Sequence, residues 1–200
     1  MSSTEQVGAV AAAGAEGVSI WAEFTRHGQR YTHRLVAKGD DGQSCLLLSA
    51  VEDRLQAPWP ASPVTQGLNR DDLERARPGK AAAAMLIGMA GDAHWSMTVE
   101  SERSDDACGL IFDVACRVKS LPPRLTSTYR VGEDIKCTTS PAGLVLENSL
   151  GAFQLRPLAS SGNSNSPSCR IELAGSQACL VADIAWESPI PATFQWRYGL

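Results

Sequence analysis

Apolar and polar residues alternate with a period of two in short segments that end at turns, and this pattern most constrains the fold. It is clearest over residues 18–38, where the Gly28-Gln29 pair suits a two-residue hairpin turn. Such a turn sets the register by itself and places Phe24 opposite His33, with the apolar residues on one face. The segment is therefore predicted to form an antiparallel hairpin with one buried side.

Similar segments recur along most of the chain at intervals of ~8 to 12 residues, the spacing expected of a β-sandwich or barrel. They cover residues 44–51, 81–90, 94–102, 110–119, 126–131, 135–139, 144–147, 152–156, 169–173, 178–187 and 194–200. About a dozen short strands predict an all-β fold, an antiparallel sandwich or barrel. The alternation is the same for a solid sandwich and for a barrel that encloses a cavity.

Chain length and composition favour one β domain over residues 17–200, since all-β units of ~200 residues are often single domains. The alanine-rich stretch 1–16 is expected to be a disordered tail. Residues 52–80 contain four prolines and form a long connection, a lid or a cover for a sheet end, with one short helix at about 69–77. Residues 159–168 are rich in serine and asparagine and predict a flexible loop.

Bulk properties exclude several classes of function. A net charge of −4 argues against general nucleic-acid binding, which needs clustered cations over a whole face. The longest apolar run, 81–90, is too short to cross a bilayer, and Glu5 stands where a signal peptide needs positive charge. We therefore expect a soluble cytoplasmic protein, not bound to membranes, with reduced cysteines. The predicted hairpin near the end of the chain places Cys169 and Cys179 on opposite faces, so they cannot pair.

The histidines do not predict a metal site. His27 and His33 fall on opposite faces of the first hairpin, and no C-x-x-C or H-x-x-x-H spacing occurs. His33 is interpreted as a core histidine because it faces Phe24. We expect neither a metal nor a cofactor.

The densest polar group lies on the outer face of the predicted 94–119 hairpin. Symmetric pairing places His94 opposite Arg117 and Thr98 opposite Asp113, with Ser96 between them. As a catalytic set, Ser96 is the nucleophile, His94 its base, Asp113 the orienting carboxylate and Arg117 an anion clamp. The competing interpretation is an ordinary solvated sheet face, since a serine on a flat strand lacks the sharp turn of known nucleophile sites.

The first hairpin carries a second candidate, a basic face with Arg30, Arg34, Lys38 and Trp21. These side chains can hold a phosphate, a carboxylate or an acidic partner. Glu23 lies opposite Arg34 and neutralises part of the charge.

Three hypotheses follow. The leading one is a non-catalytic module that binds an anionic small molecule or a protein partner. The alternative is a hydrolase that uses His94, Ser96 and Asp113, which requires a pocket and a hydrogen bond from His94 to Ser96 or Asp113. A self-assembling structural protein is the third, and it requires a large apolar patch or a long unprotected edge strand.

Overall fold

A computed structural model describes residues 4–14, 17–52, 59–69, 73, 82–103, 108–159, 168–185 and 187–200. These residues form fifteen β-strands. The strands are β1 (Thr4–Ala13), β2 (Val18–His27), β3 (Arg30–Gly39), β4 (Ser44–Ala50), β5 (Gly67–Leu68), β6 (Ala83–Ala90), β7 (Ala93–Arg103), β8 (Cys108–Val118), β9 (Thr126–Val131), β10 (Lys136–Ser140), β11 (Gly143–Asn148), β12 (Gly151–Leu158), β13 (Cys169–Ala174), β14 (Gln177–Ala182) and β15 (Ala192–Gly199).

The strands form two antiparallel sheets that pack face to face. The first sheet has seven strands in the order β1-β2-β3-β4-β9-β14-β13, and the second has eight in the order β10-β11-β12-β15-β8-β7-β6-β5. Apolar residues on the inner faces of both sheets form one buried cluster. The predicted all-β sandwich is confirmed.

The hairpin registers that the sequence predicts are also confirmed. Phe24 pairs with His33 across β2 and β3, and Gly28 has a φ of 60°, in the left-handed region that a primed two-residue turn needs. His94 pairs with Arg117 across β7 and β8. Alternation and turn chemistry suffice here because both strands of each hairpin are close in sequence.

The prediction of a disordered tail over residues 1–16 is wrong for residues 4–13, which form β1. This strand pairs with β2 along its length, and Val10, Ala11 and Ala12 are buried. Alanine and glycine have low strand propensity, so the segment lacks a local signal. Its structure depends on pairing with β2 and on inner-face packing against the second sheet.

The described part of the 52–80 connection covers one end of the sandwich. Ser62 donates a hydrogen bond to the backbone carbonyl of Thr128, and Thr65 donates one to that of Tyr31. Gly67 and Leu68 then pair with β6 at the edge of the second sheet. The helix predicted at about 69–77 falls mostly on residues 70–72 and 74–80, outside the described residues, as does most of the 159–168 loop.

A chain of buried polar side chains links the two sheets through the core. His33 Nε2 lies 2.8 Å from the hydroxyl of Tyr129, which lies 2.7 Å from the hydroxyl of Tyr198. His33 and Tyr129 belong to the first sheet and Tyr198 to the second. Trp196 of the second sheet likewise donates from Nε1 to Ser127 Oγ of the first, at 3.0 Å. The interior thus contains hydrogen bonds that only the packed sandwich completes.

The five cysteines whose side chains are described are free thiols. Cys169 pairs with Ala182 and Cys179 with Glu172 across β13 and β14, so the predicted opposite placement of the two thiols is confirmed. Burial raises the pKa of Cys116 and of Cys169 to about 12, with Asp183 adding to the effect at Cys169.

Within the described residues, the chain has no helix long and apolar enough to cross a membrane.

The Tyr129→Phe variant tests the buried chain. Removing this hydroxyl leaves His33 and Tyr198 without their shared partner, which costs ~1–3 kcal/mol for each buried group left unsatisfied. We expect urea unfolding to show a loss of at least ~1 kcal/mol. Tyr31→Phe is the control, because the half-buried Tyr31 lies on the same sheet and its hydroxyl has no hydrogen bond in the described structure. Equal losses in both variants would contradict a role for the buried chain.

Candidate functional site

The predicted basic face is organised around a buried carboxylate. Glu23 is only 3% exposed, and its carboxylate lies 2.8 Å from Arg34 Nε and 2.7 Å from Lys38 Nζ. Lys38 Nζ also lies 4.4 Å from the centre of the Trp21 ring. Burial raises the pKa of Glu23, but the bonds and charges of Lys38 and Arg34 outweigh it, so the net pKa is lowered. The sequence thus predicted correctly that Trp21, Arg34 and Lys38 share one face with Glu23. The side chains of Lys38 and Trp21, however, interact mainly with each other and with Glu23.

Arg34 also lines a cleft on the outer face of the first sheet, which we call the arginine cleft. Ser49 pairs with Arg34 on one side and with Arg130 on the other, so the three residues form one row across β3, β4 and β9. Two strand spacings of ~4.8 Å place the Cα atoms of the two arginines ~10 Å apart. The cleft has a volume of about 370 Å³. Its other lining residues are Thr25, His27, Thr32, His33, Ala50, Val51 and Glu52.

The arginine cleft is lined by arginine and hydroxyl side chains, which can donate hydrogen bonds, and by the carboxylate of Glu52. Arg130 is exposed and forms no ion pair with any described residue, so its guanidinium is available. Thr25, Thr32 and Ser49 also line the cleft and carry hydroxyls, and Glu52 adds a carboxylate to the lining. Together with Glu23, Arg34 and Lys38, the surroundings hold three permanent cations against two carboxylates. The excess charge is therefore small and local.

His33 connects the arginine cleft to the core. It is 6% exposed, yet its ring contributes to the lining of the cleft and of a smaller cavity of about 30 Å³ beside it. Arg30 lines only the smaller cavity, between the start of β3 and residues 60–65. Burial lowers the pKa of His33 to about 4, so the ring is neutral at pH 7.

The proposed catalytic set is not assembled. The predicted pairs of His94 with Arg117 and of Thr98 with Asp113 are present, but they place His94 four residues along the strand from Asp113, roughly 13 Å at ~3.3 Å per residue. Ser96 is flanked by Ile87 and Ala115. Among these described residues no hydrogen bond joins His94 to Ser96 or Asp113. A base and its orienting carboxylate must be within hydrogen-bond reach, so the hydrolase geometry is missing.

Asp113 instead lies beside Arg197 of β15. Burial raises the pKa of Asp113, and the positive charge of Arg197 opposes that rise in part. The two residues are paired across β8 and β15. Asp113 therefore belongs to the packing of the outer sheet face.

His94 and Arg117 do share a cleft, on the outer face of the second sheet. We call it the basic cleft. Its volume is about 500 Å³, and its lining residues are Asp92, His94, Arg117, Lys119, Ile190 and Pro191. Arg117 is thus on the opposite side of the sandwich from Arg34, and the binding residues predicted on the two hairpins lie on two separate surfaces.

Arg130 and Ser49 were absent from the predicted site. The Ser49–Arg130 pair joins strands that are about 80 residues apart in sequence, with no short turn to set a register. No local sequence pattern therefore placed Ser49 or Arg130 beside Arg34.

A comparison with protein-family models, curated proteins and solved structures finds no match for the chain. Among the described residues no group of three or more histidine, cysteine, aspartate or glutamate side chains could hold a metal ion. The interpretation of the two clefts therefore depends on their own geometry.

The buried state of His33 predicts a pH-dependent stability. The folded chain protonates His33 at a pKa of about 4 and the unfolded chain near 6.5, so the unfolded state binds more protons between these values. The free energy of unfolding should therefore fall by about 3 kcal/mol between pH 6.5 and 4, and this contribution should be complete above pH 6.5.

Urea unfolding of the wild type and of His33→Phe over this pH range measures the effect. The variant should be less stable at pH 7, because Tyr129 loses one of its two hydrogen-bond partners. Its free energy of unfolding should, however, lack the part of the pH dependence that His33 contributes. Parallel pH profiles for the two proteins would show that His33 is not the titrating group.

Proposed function

We propose that this chain is a non-catalytic binding module that recognises an anionic group in the arginine cleft. The observation that carries the proposal is the Arg34–Ser49–Arg130 row, in which two arginines flank a serine on one sheet face. Side chains of this length, with Cα atoms ~10 Å apart, can converge on one oxyanion. Charge-assisted bonds of this kind are about twice as strong as neutral ones.

The donor set favours a phosphate group over a carboxylate. A phosphate monoester offers three terminal oxygens, enough to accept from both guanidiniums and from Ser49 at once, whereas a carboxylate offers two. The carboxylate of Glu52 in the cleft lining opposes any anion, so a ligand must make several bonds to outweigh this repulsion. Arg34 is already held at Nε by Glu23, which leaves its terminal nitrogens for the ligand.

Arg130→Gln in the full chain tests the proposal. Inorganic phosphate is titrated while the Nε–Hε signals of Arg34 and Arg130 are followed by NMR at constant ionic strength. Phosphate should shift both signals in the wild type. Removal of one charged hydrogen bond, worth ~1.5–3 kcal/mol, should weaken binding by about 10-fold to 100-fold.

Arg124→Gln is the matched control, since Arg124 is exposed and pairs with Glu172 outside the cleft. Its affinity for phosphate should equal that of the wild type. If both variants weaken binding alike, the interaction is general charge attraction and the arginine cleft is not the site.

A further inference from the structure

The outer face of the second sheet carries an exposed apolar column along β6. Met85 and Ile87 are each 53% exposed and Met89 is 48% exposed, and they are consecutive outward positions of the strand. The inward positions Ala84 and Leu86 are buried. A solvated face of an antiparallel sheet is ordinarily polar, so three consecutive outward apolar residues indicate a surface with a partner.

This column ends at the basic cleft. Met89 pairs with His94, and His94 pairs with Arg117, so the last residue of the column and two cleft residues form one row across β6, β7 and β8. Ile190, 40% exposed, and Pro191 form an apolar wall of the cleft. The apolar surface and the cationic groups are therefore contiguous.

The charges of the basic cleft are unbalanced. Arg117 and Lys119 are exposed, and neither forms an ion pair within the described part of the chain. Asp92 is the one carboxylate in the lining. An occupant with a negative head complements this end of the surface.

We infer that the basic cleft and the Met85–Ile87–Met89 column form a binding site for a small amphiphilic anion. The phosphate or carboxylate head contacts Arg117 and Lys119, and the apolar chain lies between the Ile190–Pro191 wall and Met89, along the column. The cleft volume of about 500 Å³ is within the ~300–1,000 Å³ of small-molecule sites. This site is on the opposite face from the arginine cleft and does not depend on the function proposed there.

The size of the patch favours a small ligand over a second copy of the chain. Three half-exposed side chains present on the order of a few hundred Å² of apolar surface, comparable with a functional patch on a monomer. A stable dimer buries roughly 800 Å² on each partner. A cleft with cations at one end also suits a headed molecule better than a flat protein surface.

The test uses the full chain with ¹³C-methyl-labelled methionine and decyl phosphate below its micellar concentration. The Met85 and Met89 methyl signals should shift on titration, whereas that of Met97, which is 1% exposed, should not. Decanol lacks the charge and inorganic phosphate lacks the chain, and each should bind at least ~10-fold more weakly. Decanoate, with a carboxylate head, should shift the same two signals.

Two charge variants locate the head. Arg117→Gln combined with Lys119→Gln should weaken decyl phosphate binding at least ~10-fold, while Lys136→Gln, an exposed lysine on β10, should leave it unchanged. Arg130→Gln should also have no effect, which separates this site from the arginine cleft. Equal loss in the Lys136→Gln variant would overturn the assignment.

Three further results would also overturn the inference. The first is an unchanged pair of methyl signals with decyl phosphate. The second is a shift that depends on protein concentration alone, with a dimer in sedimentation velocity, which identifies the column as a self-association surface. The third is binding to phosphatidylglycerol vesicles without binding to monomeric decyl phosphate, which identifies a membrane surface instead of a pocket.

Discussion

The buried hydrogen-bond chain of His33, Tyr129 and Tyr198 sets the position of the outer surface as well as of the core. His33 and Tyr129 point inward from β3 and β9, and the residues that follow them, Arg34 and Arg130, point outward into the arginine cleft. Successive residues of a strand face opposite sides of the sheet. Each inward residue of the buried chain therefore fixes the backbone position of the outward arginine that follows it. Whatever fixes His33 to Tyr129 therefore also fixes the distance between the two arginines.

The filled interior explains why both clefts lie on outer faces. Phe112 stacks on Tyr198 with their ring centres 4.9 Å apart, and His33 also stacks on Phe112, at 5.6 Å. Aromatic rings from both sheets thus occupy the centre, as in a solid sandwich and not in a ligand-binding barrel. A ligand of either cleft would therefore meet outward residues, whose identity the core does not constrain. This freedom lets an acidic protein carry two basic clefts on opposite faces.

Sequence reasoning succeeds where structure is local. Turn chemistry and alternation predicted the pairing of Phe24 with His33 and of His94 with Arg117, because each hairpin is continuous in sequence. They could not predict β1, whose alanines gain their burial from β2 and the second sheet, or the contact of Ser49 with Arg130, which joins distant strands. Those long-range pairs bring the second arginine to the cleft, so the sequence indicated half of the site.

Glu23 makes the two arginines of the cleft unequal. A carboxylate that is almost fully buried and held by Arg34 and Lys38 orients the guanidinium of Arg34 before any ligand arrives, which lowers the entropy lost on binding. Arg130 has no such partner among the described residues, so a ligand of the proposed site would have to order its side chain. Because Glu23 and Glu52 nearly balance the nearby cations, long-range attraction is weak. At the proposed site, selectivity between anions would then depend on how many oxygens reach the donors of Arg34, Ser49 and Arg130, and less on total charge.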